Sequence, residues 1–286
     1  MGSICIVTDN TAQFTQPSFV GRNSITIVPL GVRLHGALQD VNAVKASNLP
    51  FSADDELHPE LVAPSQEQFR QLFMTLSQKY DQIFGLFLSS SLSICYTQAE
   101  QAAASLHSHN TISLIDSQTT SIGLGFLVQA AADALAHGLN LIDIEHLIRS
   151  LVPHIYAAFC TPSLSYLFYA GFLDQAQAIV GEMMGLLPIF SLEEGKLTPL
   201  EKVRNRRHTI DFYQEFMDEF DHLQHIALLQ NAVPNAQDAR LLREHVQLEF
   251  TKISFTEHTI NLPLAVLLGP SASGLFLLEA TNHKRK

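Results

Sequence analysis

Tryptophan is absent, and the only cysteines are Cys5, Cys95 and Cys160, far apart along 286 residues. An odd number with no CxxC pair argues against a disulfide framework or a zinc site, so free thiols in a reducing compartment are expected. Positive charge is scarce as well, with 17 Lys plus Arg against 28 Asp plus Glu and a net charge of -11. Neutralising nucleic-acid phosphates needs a basic surface, so no nucleic-acid partner is expected, and the closing Lys284-Arg285-Lys286 is too short to alter that. No apolar run approaches the ~18 residues of a membrane span, so no integral membrane segment is expected. The chain runs directly into Ile4-Cys5-Ile6-Val7 without a basic leader region, and a cytoplasmic location is the expectation. There is no GxSxG nucleophile elbow, and Gly123-Leu124-Gly125 lacks the third glycine or the GK of a phosphate-cradling loop. Histidines number 13, but His107-Ser108-His109 and His222-Leu223-Gln224-His225 lack an HExxH arrangement or nearby Cys or carboxylate partners, so no metal site is expected.

What remains is a chain with large apolar cores, 47 % apolar and 16 % charged, long enough for two domains. Its central stretch is Phe84-Gly85-Leu86-Phe87-Leu88-Ser89-Ser90-Ser91-Leu92-Ser93-Ile94-Cys95-Tyr96. An apolar run of strand length, then small hydroxyl residues, then strong helix formers reads as a strand, a loop and a helix start. Unpaired backbone N–H groups and the positive end of the macrodipole make such a junction a seat for a carboxylate or phosphate. Ser93 is the leading candidate there, with a helix N-cap as its plainer role. Strands are expected at Ser3 to Val7, Ser24 to Leu30 and Thr111 to Ile115, and Asp9 and Asp116 fall at strand ends, as ligand contacts or as caps of local turns. Residues 37–64, broken by Pro50, Pro59 and Pro64, read as a loop with at most one short helix. Ser65 opens a helix carrying Phe69, Leu72, Phe73 and Leu76.

Strands alternating with helices predict an α/β fold, a parallel sheet flanked by helices over residues 1–153, with ligands beyond the carboxyl ends of the strands. From residue 154 to 286 the rhythm changes to a mixed α+β domain. Ile155 to Phe159 reads as a strand, Glu193-Glu194-Gly195 as a hairpin turn, and Leu264 to Leu268 with Leu275 to Leu278 as a closing strand pair.

Five short segments now stand in order: Ile6-Val7-Thr8-Asp9-Asn10-Thr11-Ala12, Ile27-Val28-Pro29-Leu30, Ser89-Ser90-Ser91-Leu92-Ser93 with Tyr96, Ile115-Asp116-Ser117 with Gly123-Leu124-Gly125, and Glu201-Lys202-Val203-Arg204. Together they resemble the DegV family of bacterial fatty-acid-binding proteins along nearly the whole chain. The resemblance implies two α/β domains enclosing one long-chain fatty acid, its carboxylate near the loop of Ser90, Ser91, Ser93 and Cys95, and Leu61, Ile94, Phe159, Phe172 and Leu267 are candidates for the pocket lining. It also implies a non-catalytic role, no cofactor, and in some members a separate fatty-acid kinase that phosphorylates the bound acid. Departures are as informative. Leu61-Val62-Ala63-Pro64-Ser65 keeps only the Pro-Ser of the family's TSQPS, Ile94-Cys95 replaces Gly-Thr, Phe172 stands where an arginine is usual, and Leu267 falls near the place of a histidine.

Burying ~15 methylenes is worth ~12 kcal/mol before association costs, against ~1.5 to 3 kcal/mol for each charge-assisted head-group bond, so the tail dominates affinity. The lost polar partners therefore bear on head-group selectivity, and a lipid with a neutral or bulkier head is an open alternative. Two other classes stay open: a serine-dependent hydrolase using Ser93 with a histidine and Asp9 or Asp116, and a ligand-free interaction protein.

Overall fold

The computed structural model describes residues 2–40, 43–106 and 111–281; the expected His107-Ser108-His109 group and the Lys284-Arg285-Lys286 end lie outside the described residues. β1 (Ile4–Asp9) is buried at every position, as a strand covered on both faces must be. β2 (Ile25–Val28), β3 (Gly31–Leu34), β4 (Ala37–Gln39) and β5 (Glu60–Val62) follow. α1 (Gln66–Ser77) begins at Ser65, whose hydroxyl accepts the Gln68 N–H while the Gln68 side chain accepts the Ser65 N–H, a reciprocal capping box. β6 (Gln82–Phe87), α2 (Cys95–Ala104), β7 (Thr111–Asp116), α3 (Ser121–Ala136) and α4 (Leu141–Leu151) complete the first half. In the second come β8 (Ile155–Cys160), α5 (Leu164–Tyr169), α6 (Gln175–Met183), β9 (Leu187–Glu193) and β10 (Lys196–Val203). They are followed by α7 (Arg206–Asp218), β11 (Leu223–Gln230), α8 (Ala236–Glu249), β12 (Ser254–Thr259), α9 (Leu262–Leu268) and β13 (Ser273–Glu279).

The chain divides into two compact units, residues 1–30, 63–153 and 194–196 in the first and residues 31–62, 154–193 and 197–286 in the second. Compared with a single cut after residue 153, the segments 31–62 and 194–196 change sides. The first unit holds a fully parallel sheet in the order β2-β1-β6-β7. α1 and α2 pack on each other, as do α3 and α4. Phe69 of α1 meets Phe87 of β6 edge to face at 5.4 Å between centroids. α3 lies so close to the chain after β1 that a Cβ on Gly125 would sit 1.9 Å from the Gln13 carbonyl oxygen, an overlap of backbone that only glycine avoids. In register, Thr8 of β1 stands beside Leu86 of β6 and Phe87 beside Asp116 of β7, so the polar residues after these strands collect at one edge of the sheet.

The second unit contains a mixed sheet in the order β10-β9-β8-β13-β11-β12 and an antiparallel sheet β4-β3-β5 on which α9 packs. In the mixed sheet, Ala158, Cys160, Ile226, Leu228, Leu275 and Leu277 form one core with Tyr213 and Met217 of α7 and Leu242 of α8. Strand pleating turns the alternate residues, Phe159 and Phe276 among them, to the other face. The expected hairpin is present: Glu194 and Gly195 join β9 to β10 with φ of 49° and 82°, the pair of left-handed conformations that a tight hairpin turn uses.

Two expectations are corrected, and one element goes unread in the sequence. Leu264 to Leu268 is not a strand but most of α9. Asn261 Oδ1 accepts the Leu264 N–H and Pro263 sits in the first turn, and because every residue of α9 is buried no periodicity distinguishes helix from strand. Residues 37–64 are not simply loop, since β4 and β5 flank β3 with a 3-10 turn at Ala46–Asn48 between them. β12, Ser-Phe-Thr-Glu-His-Thr, is an edge strand too polar to be visible by its apolar content.

Candidate functional site

The first unit's candidate site is the polar edge formed where β1, β6 and β7 end. Asp9 closes β1 and is fully buried. Its carboxylate accepts the Leu88 N–H at 2.7 Å, the Thr11 N–H at 2.9 Å and the Thr11 hydroxyl. Burial pushes its pKa up, and the donors from Thr11 and Leu88 oppose that without overcoming it. Asp9 thus fastens the end of β1 to the start of the serine loop. Asp116, at the end of β7, does the same from the other side, accepting the Ser90 N–H at 3.2 Å and the Gln118 N–H at 3.0 Å.

The serine loop is tied both to itself and to the segments around it. The Ser89 N–H donates to Thr119 O at 2.8 Å and its hydroxyl to Gly195 O at 2.7 Å, while Ser89 O accepts the Leu92 and Ser93 N–H groups at 2.9 and 3.2 Å. A side chain at Gly195 would collide with the Ser89 hydroxyl, its Cβ falling 2.3 Å from Oγ. The Ser91 N–H donates to Ser89 Oγ at 3.2 Å. The N–H groups of residues 90–93 are therefore engaged within the protein, and what these residues still offer is their hydroxyls. Ser93 Oγ accepts the Cys95 N–H at 3.3 Å and retains its own proton to donate. The N-cap of α2 is Ile94, which carries no capping side chain, so Ser93 acts one residue before the cap.

The sequence-named residues fall into two sets. Ser90, Ser91 and Ser93 share the loop, with Ser90, Ser91 and Ile94 exposed and Ser93 half-buried. Cys95 is wholly buried beneath it, and burial with the nearby Asp9 raises its pKa, so the group turned inward is a neutral thiol. In the second unit, Leu61 lies on β5, Phe159 on β8, Leu267 on α9, and Phe172 just after α5, where its N–H donates to Leu167 O at 2.8 Å. Phe159 is fully buried with its ring edge to face on Phe276 at 5.3 Å.

Sequence reasoning missed a set of buried hydroxyls. Thr8, Thr119 and Thr120 in the first unit and Thr161 and Ser163 in the second are almost wholly buried, and their side-chain oxygens have no hydrogen-bond partner. A buried hydroxyl without a partner costs on the order of 1 to 3 kcal/mol, a debt that a ligand can cancel. The sequence signal was their position, each directly at or after the end of an apolar strand. Among the described residues no group of three or more His, Cys, Asp or Glu is placed to hold a metal ion, and no helix is long and apolar enough to cross a membrane.

The family model for DegV, described as "Uncharacterised protein, DegV family", matches residues 3–280. The chain belongs to the DegV family. A DegV domain-containing protein of Caldanaerobacter subterraneus subsp. tengcongensis is 27 % identical over 218 residues, 76 % of this chain and 77 % of that protein. Among solved structures, a DegV family protein from Thermus thermophilus, described by its fatty acid binding, superposes with a TM-score of 0.81 at 23 % identity over 97 % of this chain and all of that one, 100 %. The Streptococcus pneumoniae fatty acid kinase B3 protein loaded with linoleic acid also gives 0.81, at 16 % identity over 97 % of this chain and 100 % of that one. These likenesses establish the DegV fold. The five family-like segments take up definite places in it, at the ends of β1, β2, β7 and β10 and in the loop from β6 to α2.

Proposed function

We propose that this DegV-family chain is a non-catalytic carrier of a long-chain fatty acid. The head group is met by the hydroxyls of Ser93, Ser90 and Ser91, and the tail is buried among apolar side chains. The observation that carries the reading is the strand-end edge itself: buried hydroxyls of Thr8, Thr119 and Thr120 without partners, beside a serine loop whose N–H groups are already engaged. Such an edge offers hydroxyl protons to an acceptor, which suits a carboxylate carried by a tail that supplies most of the affinity. The fatty acid binding of the Thermus thermophilus protein and the linoleic acid held by the Streptococcus pneumoniae protein support the same ligand class. In this reading Ser93 binds, its oxygen accepting the Cys95 N–H at 3.3 Å while its proton is left to donate. By likeness to the kinase B3 protein, the bound acid is presented to a separate fatty-acid kinase. Buried, unpaired thiols at Cys5, Cys95 and Cys160 fit a reducing cytoplasm.

Native mass spectrometry of the purified protein before and after delipidation tests the proposal. The expected result is a mass increment equal to one long-chain acid that disappears on delipidation and returns when palmitate is added. Recovery of only neutral or phosphorylated lipids would replace the head-group assignment, and recovery of no lipid, with no uptake of palmitate, would overturn the function.

A further inference from the structure

The second unit contains a cavity of ≈ 250 Å3 on the α7 and α8 face of its mixed sheet. Cys160, Leu228 and Ser273 contribute to its lining, and strand pleating puts these on the face opposite to Phe159 and Phe276. The cavity is therefore separate from Phe159, a candidate for the acyl-tail lining. Its apolar lining comes from Leu187, from Ile210 and Tyr213 of α7, and from Ala239 and Leu242 of α8.

The polar groups around it are almost all committed. Its only charged residues, Arg206 and Asp238, are paired with each other across the starts of α7 and α8. The Tyr213 hydroxyl accepts the Cys160 N–H at 3.1 Å and shares a bond with Ser273 at 3.2 Å. Gln230 donates to Glu257 at 3.0 Å, and Asn235 caps α8 by accepting the Gln237 and Asp238 N–H groups. One atom stands apart. Asn231 Oδ1 lines the cavity, is buried and accepts no hydrogen bond.

We propose that this cavity is a second binding site, for a small neutral molecule with a compact apolar body and one N–H or O–H donor directed at Asn231 Oδ1. Size sets the first limit, because ≈ 250 Å3 corresponds to the share of about eight water molecules in the liquid. Charge sets the second. A carboxylate has no donor for Asn231 Oδ1, and Arg206 and Asp238 already neutralise each other, so a charged ligand meets no unpaired counter-charge there. A neutral donor disturbs neither and satisfies the buried acceptor left unmet, Asn231 Oδ1.

The test uses benzamide as the donor-bearing probe, benzoate as its charged isostere, and palmitate to report on the other site, all titrated into the full chain by calorimetry and followed by saturation-transfer NMR. Benzamide is expected to bind saturably, and benzoate about tenfold or more weakly, the worth of about one hydrogen bond. Asn231→Leu should weaken benzamide by a similar factor. Ser271→Phe, at the partly exposed rim, and Leu242→Phe, within the lining, should each abolish it by filling the space, with palmitate binding and the far-UV spectrum unchanged. The proposal is overturned if benzamide shows no saturation, if benzoate binds equally well, if binding survives both filling variants, or if palmitate displaces benzamide competitively. Failure of palmitate to bind, with benzamide binding intact, would remove the fatty-acid reading and leave this one standing.

Discussion

Asp9 carries structural weight that its position at a strand end only hinted at. Its carboxylate answers N–H groups from Leu88 and Thr11 and a hydroxyl from Thr11, all in a buried setting. Asp9→Ala would leave those donors without an acceptor, at about 1 to 3 kcal/mol each, so a loss of roughly 3 to 5 kcal/mol is expected in urea denaturation. Asp9→Asn should cost less, because burial has already raised the carboxyl's pKa and the isosteric amide keeps one acceptor oxygen. An equal loss in both variants would show that the charge, not the acceptor geometry, matters. Ser93 is expected to behave differently. Its hydroxyl receives only the Cys95 N–H, and Ser93→Ala should lower palmitate affinity by about tenfold, the value of one hydrogen bond, with little effect on stability. Complete loss of palmitate binding with an unchanged melting temperature would show that Ser93 holds the head group alone.

Among the elements, the adjoining parallel strands β11 and β12 place His225 and His258 on either side of the Thr256 hydroxyl, at 2.9 and 3.2 Å. Burial, with His258 nearby, lowers the His225 pKa to about 4, and burial lowers that of His258 as well. An unfolded chain protonates these imidazoles near pH 6.5, whereas folded His225 resists until about pH 4, so the unfolded state holds more protons in between. The stability they contribute is fully present above pH 6.5 and is lost as pH falls toward 4. Urea midpoints taken between pH 7 and 4 should drop less steeply in His225→Gln than in the parent chain; parallel curves would refute the linkage. The elements also mark what a sequence can and cannot convey. β1, β6 and β7 are legible because apolar runs of strand length end abruptly in polar residues, and α1 because Ser65 and Gln68 write its cap. α9 is illegible as a helix because a short segment buried all round has no polar face to betray its period, and β12 because an edge strand spends few apolar residues. The site divides the same way. Ser93 and its neighbours stand out by composition, but whether Asp9 and Asp116 met ligand or backbone, and which hydroxyls would lack partners, depends on chain segments brought together only by folding.

Over the whole molecule, the balance between tail and head decides what the protein selects. The net charge of -11 offers no general attraction for an anionic lipid, and the positions where the family resemblance implies polar partners are occupied by Leu61, Phe172 and Leu267. Affinity must therefore come from apolar burial. Shortening the ligand from palmitate to decanoate removes six methylenes, about 5 kcal/mol at ~0.8 kcal/mol each, and should weaken binding by roughly three orders of magnitude. Replacing the carboxylate of palmitate by an alcohol removes only charge-assisted bonding, about 1.5 to 3 kcal/mol, or roughly ten- to a hundredfold. The same hierarchy should appear in melting temperature, since a ligand present at 100 times its dissociation constant adds about 2.7 kcal/mol and a chain of this size gains roughly 2 to 4 °C per kcal/mol. Palmitate should then raise the melting temperature of delipidated protein by roughly 5 to 10 °C, hexadecanol by less, and decanoate at equal concentration hardly at all. If decanoate stabilises as well as palmitate while hexadecanol does not, the head group governs recognition, and the assignment of affinity to the apolar tail fails.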